Sequence, residues 1–135
     1  MRVVKLAAGE TFQPEPGWLR VSLAGDRNIS VEYFEKPVGH TSPLHTHPHE
    51  QVSIVLKGKM RVVNGDGESD VLSARDSAYF GSKEWHRTEN VGDELAVGVD
   101  IFVPARPFDF WKKKSQLFPP QIRWDSPESP LHQKG

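Results

Sequence analysis

The 135 residues carry 17 Lys and Arg against 18 Asp and Glu, a formal net charge of -1, which leaves no field of one sign with which to hold a phosphate backbone. The length suits one compact domain, and no stretch approaches the roughly 20 apolar residues of a membrane span. Cysteine is absent, so disulfides and thiolate metal sites are excluded and any bound metal must take nitrogen and oxygen ligands. Met1 to Glu10 lacks the apolar core of a secretory signal. A soluble cytoplasmic chain acting on a small molecule is expected, with neither nucleic acid nor membrane as a partner.

From Arg2 to Val103 the sequence runs as short segments rich in Val, Ile, Phe and Tyr, broken by Gly, Asn, Asp and Pro at close intervals, which predicts an all-β fold. Strands are predicted at 18–23, 28–36, 50–57, 59–64, 68–73, 77–81, 86–90 and 94–103. Gly58, between two apolar runs, and Asn64-Gly65-Asp66-Gly67 each predict a hairpin turn. Pro104 and Pro107 end the strand pattern. After them, Phe108 to Lys114 predicts one helical turn with its aromatic side packed inward and the Lys112-Lys113-Lys114 run solvated. The folded domain is thus placed at 1–114. Residues 115–135, with Pro119, Pro120, Pro127 and Pro130, are expected as an extended arm or frayed tail. Ile122 and Trp124 suit an arm that docks, for example on a second subunit.

The segment from Gly39 through His45, His47, His49, Glu50 and Gln51 to Gly58 carries the chemistry. Side chains two apart on an extended strand point the same way, so His45 and His47 face one side and Gln51 shares their parity. Two imidazoles and an amide oxygen can then converge on one point. A third imidazole must come from a distant strand, for which His86, following a Gly-Ser turn, is the natural source. Alternation turns Glu50 away.

This pattern resembles the cupin superfamily. Its first motif reads Gly, five residues, His-x-His, three or four residues, Glu, six residues, Gly, and Gly39, His45, His47, Gln51 and Gly58 fall on that spacing. Only the end of the second motif matches: His86 and Asn90 fit, whereas Gly81 and Lys83 stand where Pro and Gly are usual. The two motifs cover residues 39 to 90, and the strand pattern extends the likeness to about residue 103. The resemblance implies a double-stranded β-helix, a jelly-roll barrel, holding one divalent ion (Fe, Ni, Zn or Mn) on His45, His47, His86 and Gln51. It also implies a homodimer, since small cupins commonly pair through edge strands and terminal arms. Phe34, Phe80 and Phe102 are then barrel lining.

Gln51 departs from the usual Glu. A neutral amide leaves the full +2 charge on the ion, which strengthens polarisation of a carbonyl and lowers the pKa of bound water. His-x-His, three residues, Gln is similar to the pectin-degradation cupin that converts unsaturated uronates to linear keto sugars. Isomerase, lyase or cyclase chemistry on a carbonyl-containing, sugar-derived substrate is the leading expectation. An iron-dependent dioxygenase and a non-catalytic small-ligand sensor are the alternatives. His40 and His49 are expected at the rim, with His40 as a proton shuttle. Tyr79 is the second catalytic candidate, as an acid or hydrogen-bond donor if it points into the pocket.

Overall fold

Strand alternation gives each segment one apolar face, and two sheets that meet on those faces bury it. The computed structural model of the protein describes residues 1–113 and 122–123. In chain order the strands are β1 (Thr11–Glu15), β2 (Trp18–Ser22), β3 (Ser30–Lys36), β4 (Leu44–His45), β5 (Glu50–Lys57) and β6 (Met60–Asn64). They continue as β7 (Ser69–Leu72), β8 (Ser77–Phe80), β9 (His86–Asn90), β10 (Ala96–Val103) and, after a short helix α1 (Phe110–Lys113), β11 (Ile122–Arg123). One antiparallel sheet has the order β1-β2-β3-β10-β5-β8 and the other β11-β4-β9-β6-β7. From β3 onward the chain passes back and forth between them, with the β6–β7 hairpin as the midpoint, which is the expected jelly roll. Val55 and Ala96 from the first sheet meet Met60 and Leu72 from the second in one buried cluster.

The two predicted hairpins part company. Asn64 to Gly67 does close the β6–β7 pair: Asn64 Oδ1 accepts from the Asp66 and Glu68 amides, and Gly67 takes φ 86°. Gly58 instead turns a corner between sheets, because β5 pairs with β8 and β10 while β6 pairs with β7 and β9. It adopts φ 84°, and a Cβ there would come within 3.1 Å of the Leu95 carbonyl. Adjacent apolar runs look alike whether they pair or diverge. On β10, a Cβ at Gly98 would lie 2.4 Å from Phe34 Cζ, so a bare backbone is what lets that ring fill the barrel.

Three strands were not predicted. β1 contains Pro14, which argues against a strand interior, and it survives as an edge that, among the described residues, pairs with β2 alone and shifts register between Phe12 and Glu15. β4 has two residues, and β11 pairs with it, Ile122 opposite His45. The helical turn is present as α1, with Trp111 and Phe108 packed on Trp18. Exposed Lys112 pairs with Glu10 at 2.8 Å. The rest of the expected arm, Trp124 included, lies outside the described residues. Among the described residues, no helix is long and apolar enough to cross a membrane.

Candidate metal centre

Three strand positions bring the imidazoles together. His45 on β4 is the direct antiparallel partner of His86 on β9, with ring centroids 4.3 Å apart. His47, two residues beyond His45, lies 5.6 Å from it and 5.0 Å from His86 by the same measure. Each offers one nitrogen to a cluster whose members all lie within 4.8 Å of one another. Phe80 stacks flat on His86 at 4.2 Å and fixes its ring.

A backbone carbonyl faces Nδ1 of each ring. Nδ1 of His45 and His86 donates to the carbonyls of Pro43 and Glu84 at 2.9 and 2.8 Å, and Nδ1 of His47 lies 3.1 Å from the His49 carbonyl. Nε2 therefore carries the lone pair in His45 and His86, the arrangement a metal ligand needs, and the same tautomer of His47 would turn its Nε2 lone pair toward the cluster. His86 Nε2 is buried with no hydrogen-bond partner. Burial pushes His86 down to about 4 and His47 down to about 3, the latter helped by Arg106, and holds His45 well below the usual histidine range. The imidazoles are neutral at pH 7, ready to coordinate.

Gln51 is 6% exposed and comes from β5 in the opposite sheet. Its amide nitrogen donates to Ser53 Oγ at 2.9 Å and to Asp100 Oδ1 at 3.2 Å. A carboxylate only accepts, so the amide cannot flip, and Oε1 must face the histidines. It lies 3.0 Å from His47 Nε2. A ring nitrogen and an amide oxygen thus face each other across a buried gap, beside the unpartnered Nε2 of His86. A divalent cation satisfies all of these groups, and the three-nitrogen, one-oxygen donor set fits Fe, Ni, Zn or Mn.

A cavity runs inward from His45, His86 and Gln51 to Lys36 and Thr88. Its walls hold a buried ion network that the sequence reading missed. Arg20 Nη2 pairs with Glu32 Oε1 at 2.7 Å and with Asp100 Oδ2 at 2.9 Å. Arg106 Nη2 reaches Glu32 Oε1 at 3.1 Å, and Trp111 Nε1 donates to the same oxygen at 2.6 Å. Burial pushes the Glu32 and Asp100 carboxyls up, but Arg106 and Arg20 outweigh it at Glu32, and Arg20 and Lys36 do so at Asp100, so both stay below the usual carboxylate range. Burial holds the Lys36 amine down to about 7. The available signal was charge at inward parity: Glu32 and Lys36 flank Phe34 on β3, and Asp100 precedes Phe102 by two on β10.

Neither expected proton-handling residue reaches the cavity. Tyr79 points outward from β8, 60% exposed, and its hydroxyl donates to Glu50 at 2.5 Å. It is the strand partner of outward-facing Val52, whereas its neighbour Phe80 pairs with inward-facing Gln51. His40 is buried but packs behind Trp18, ring centroids 4.4 Å apart, and the indole rather than the imidazole lines the cavity. His49 stands beside His47, 5.4 Å between ring centroids. Glu50 faces out, as alternation requires.

The sequence family described as the cupin domain matches residues 32–102, more than half of the chain and all four candidate ligands. A search of curated protein sequences gives no match. Among solved structures, an RmlC-like cupin from Shewanella frigidimarina NCIMB 400 is similar at 26% identity, over 82% of this chain and 96% of that one, with a TM-score of 0.72. KdgF from a Halomonas species superposes with a TM-score of 0.72 at 22% identity, over 82% of this chain and 98% of that one. A sugar phosphate isomerase of the cupin superfamily from Silicibacter pomeroyi DSS-3 gives 0.64 at 18% identity, over 74% of each chain. The last two show likeness of fold alone.

Proposed function

Because this chain belongs to the cupin family, we propose that it is a metal-dependent enzyme. It carries out isomerase, lyase or cyclase chemistry, a proton shift beside a carbonyl, on a small anionic, sugar-derived substrate. The observation that carries the reading is the confrontation of His47 Nε2 with Gln51 Oε1 at 3.0 Å, next to the unpartnered His86 Nε2. That geometry suits His45, His47, His86 and Gln51 as the ligands.

A divalent ion held there supplies Lewis-acid polarisation of a substrate oxygen. The chain's own groups supply the rest. Asp100 and Ser53 hold Gln51 with its oxygen toward the histidines, keeping a neutral donor in place without adding charge to the centre. Phe80 and Phe102 exclude water from the imidazoles. Arg20, Lys36 and Arg106 line the cavity and favour a substrate that brings negative charge. The likeness of the His-x-His, three residues, Gln pattern to the uronate-converting cupin of pectin degradation supports a sugar acid. The half-buried and exposed apolar residues on the outer face of the six-stranded sheet, Val52, Ile54 and Leu56 on β5 with Val97, Val99 and Ile101 on β10, support a homodimer.

The test is reconstitution of the metal-free protein with zinc, nickel, manganese or iron(II), followed by substrate loss from a panel of uronates and diketones in air and under strict anaerobiosis. Comparable anaerobic rates with redox-inert zinc are expected. An absolute need for iron and oxygen would replace this reading with a dioxygenase, and tight binding without turnover would replace it with a sensor.

A further inference from the structure

The charges around the cavity do not balance. Three cationic side chains, Arg20, Lys36 and Arg106, face two carboxylates, Glu32 and Asp100, and all five are at most 5% exposed. Glu32 is held by both arginines. Asp100 is taken up by Arg20, Ser53 and Gln51. The positive charge in excess is left on Lys36, which enters no ion pair among the described residues. Its Nζ donates once, to Thr88 Oγ1 at 2.8 Å, and otherwise rests over the rings of Phe34 and Trp18, 4.8 and 5.5 Å from their centroids.

Asp100 acts on the amine only at longer range, and an ammonium buried without a directly paired carboxylate is costly, so proteins normally pair it or neutralise it. Aromatic faces offset only part of that cost. Lys36 nevertheless lies at the wall of the cavity that His45 and His86 also line, with two N–H donors unspent. Thr88, which holds the amine, follows His86 by two on β9, so the residue that accepts from Lys36 and the imidazole occupy successive inward positions of one strand.

We propose that Lys36 is the anion anchor of this cavity, taking the carboxylate of a small ligand whose other end places an oxygen at the three-histidine centre. The anchor rests on reading that cavity as the substrate site. It makes Lys36 a positioning and specificity residue: the carboxylate supplies the direct ion pair that Lys36 lacks, and the shared cavity selects a ligand with an anionic group at one end and a carbonyl or hydroxyl at the other. Arg20 and Arg106 are less suited to this task because Glu32 and Asp100 already occupy them.

The experiment uses the full chain loaded with zinc, as wild type, Lys36→Met and Lys36→Gln, with zinc content and melting temperature measured for each. Calorimetric titration compares D-galacturonate with D-galactose, which differ only in the carboxylate. Wild type is expected to prefer the galacturonate by about tenfold or more, the size of one charged hydrogen-bonded contact, and either variant that folds should lose that preference while keeping its zinc. A preference that survives in Lys36→Met or Lys36→Gln, or no preference in wild type, would overturn the anchor. Turnover is scored separately. Lys36-dependent binding without conversion of any substrate would overturn the enzymatic reading and leave the anchor standing, whereas conversion with the preference intact in the variants would overturn the anchor alone.

Discussion

His47 Nε2 and Gln51 Oε1 lie 3.0 Å apart. Nδ1 of the same ring faces the His49 carbonyl at 3.1 Å, and both Gln51 amide hydrogens are committed to Ser53 and Asp100. Asp100, on β10 beyond both motifs, thereby orients the Gln51 amide. Such outer partners set the direction and basicity of the groups that coordinate.

Gln51→Glu tests that arrangement. A carboxylate is a stronger ligand for a hard divalent ion, so metal affinity should hold or rise, while turnover should fall because the centre loses net positive charge. The metal-free variant should also melt lower, since the new carboxylate faces Asp100 where two donors used to be, at a cost of about 1–3 kcal/mol. Adding Asp100→Asn should recover part of it. Calorimetric melting of the single and double variants checks the stability, and elemental analysis the affinity. Metal loss in Gln51→Glu would remove Gln51 from the ligand set.

The metal-free protein should gain stability as pH rises through two separate windows. His47 and His86 are held at about 3 and about 4, so between there and about 6.5 the unfolded chain binds protons that the folded one refuses. Lys36, lowered to about 7 by burial with Arg20 and Arg106 adding to it and Asp100 opposing, does the same between about 7 and 10.4. Each group contributes up to about 1.4 kcal/mol per pH unit inside its window. Urea unfolding from pH 4 to 10 measures the slopes. Lys36→Met should flatten the alkaline one and leave the acidic one in place.

The sequence exposes this centre because its ligands follow strand arithmetic: His45 and His47 at spacing two, Gln51 at the same parity, His86 at the head of a strand. It conceals the switch of sheet at Gly58, since two apolar runs around a glycine read equally as a hairpin. It blurs the second motif as well. Lys83 takes φ 64°, the left-handed conformation for which the motif's glycine is suited, so the backbone keeps the turn although the residue has changed. The sequence leaves the direction of Tyr79 open, because alternation on β8 is set by the partner of Gln51, and only the β5–β8 register shows that partner to be Phe80. The ion network needs three strands brought together, which no local pattern encodes.

Two replacements should leave turnover alone. Tyr79→Phe removes a hydroxyl from the outer surface, where its partner is Glu50. His40→Phe keeps a ring against the outer side of Trp18, and position 40 itself does not line the cavity. Steady-state kinetics on both variants against wild type checks this, with a large fall in kcat for either one returning that residue to the catalytic machinery.

Metal stoichiometry tests the central claim most directly. Elemental analysis after dialysis against a single divalent ion should give one ion per chain for wild type and nearly none for His45→Ala, His47→Ala and His86→Ala. All three variants should keep the circular dichroism of a folded β protein, because a barrel core of this size does not depend on the ion for folding, unlike a zinc finger. One ion per chain retained by His86→Ala, or none bound by wild type at any of the four metals, would contradict the three-histidine centre.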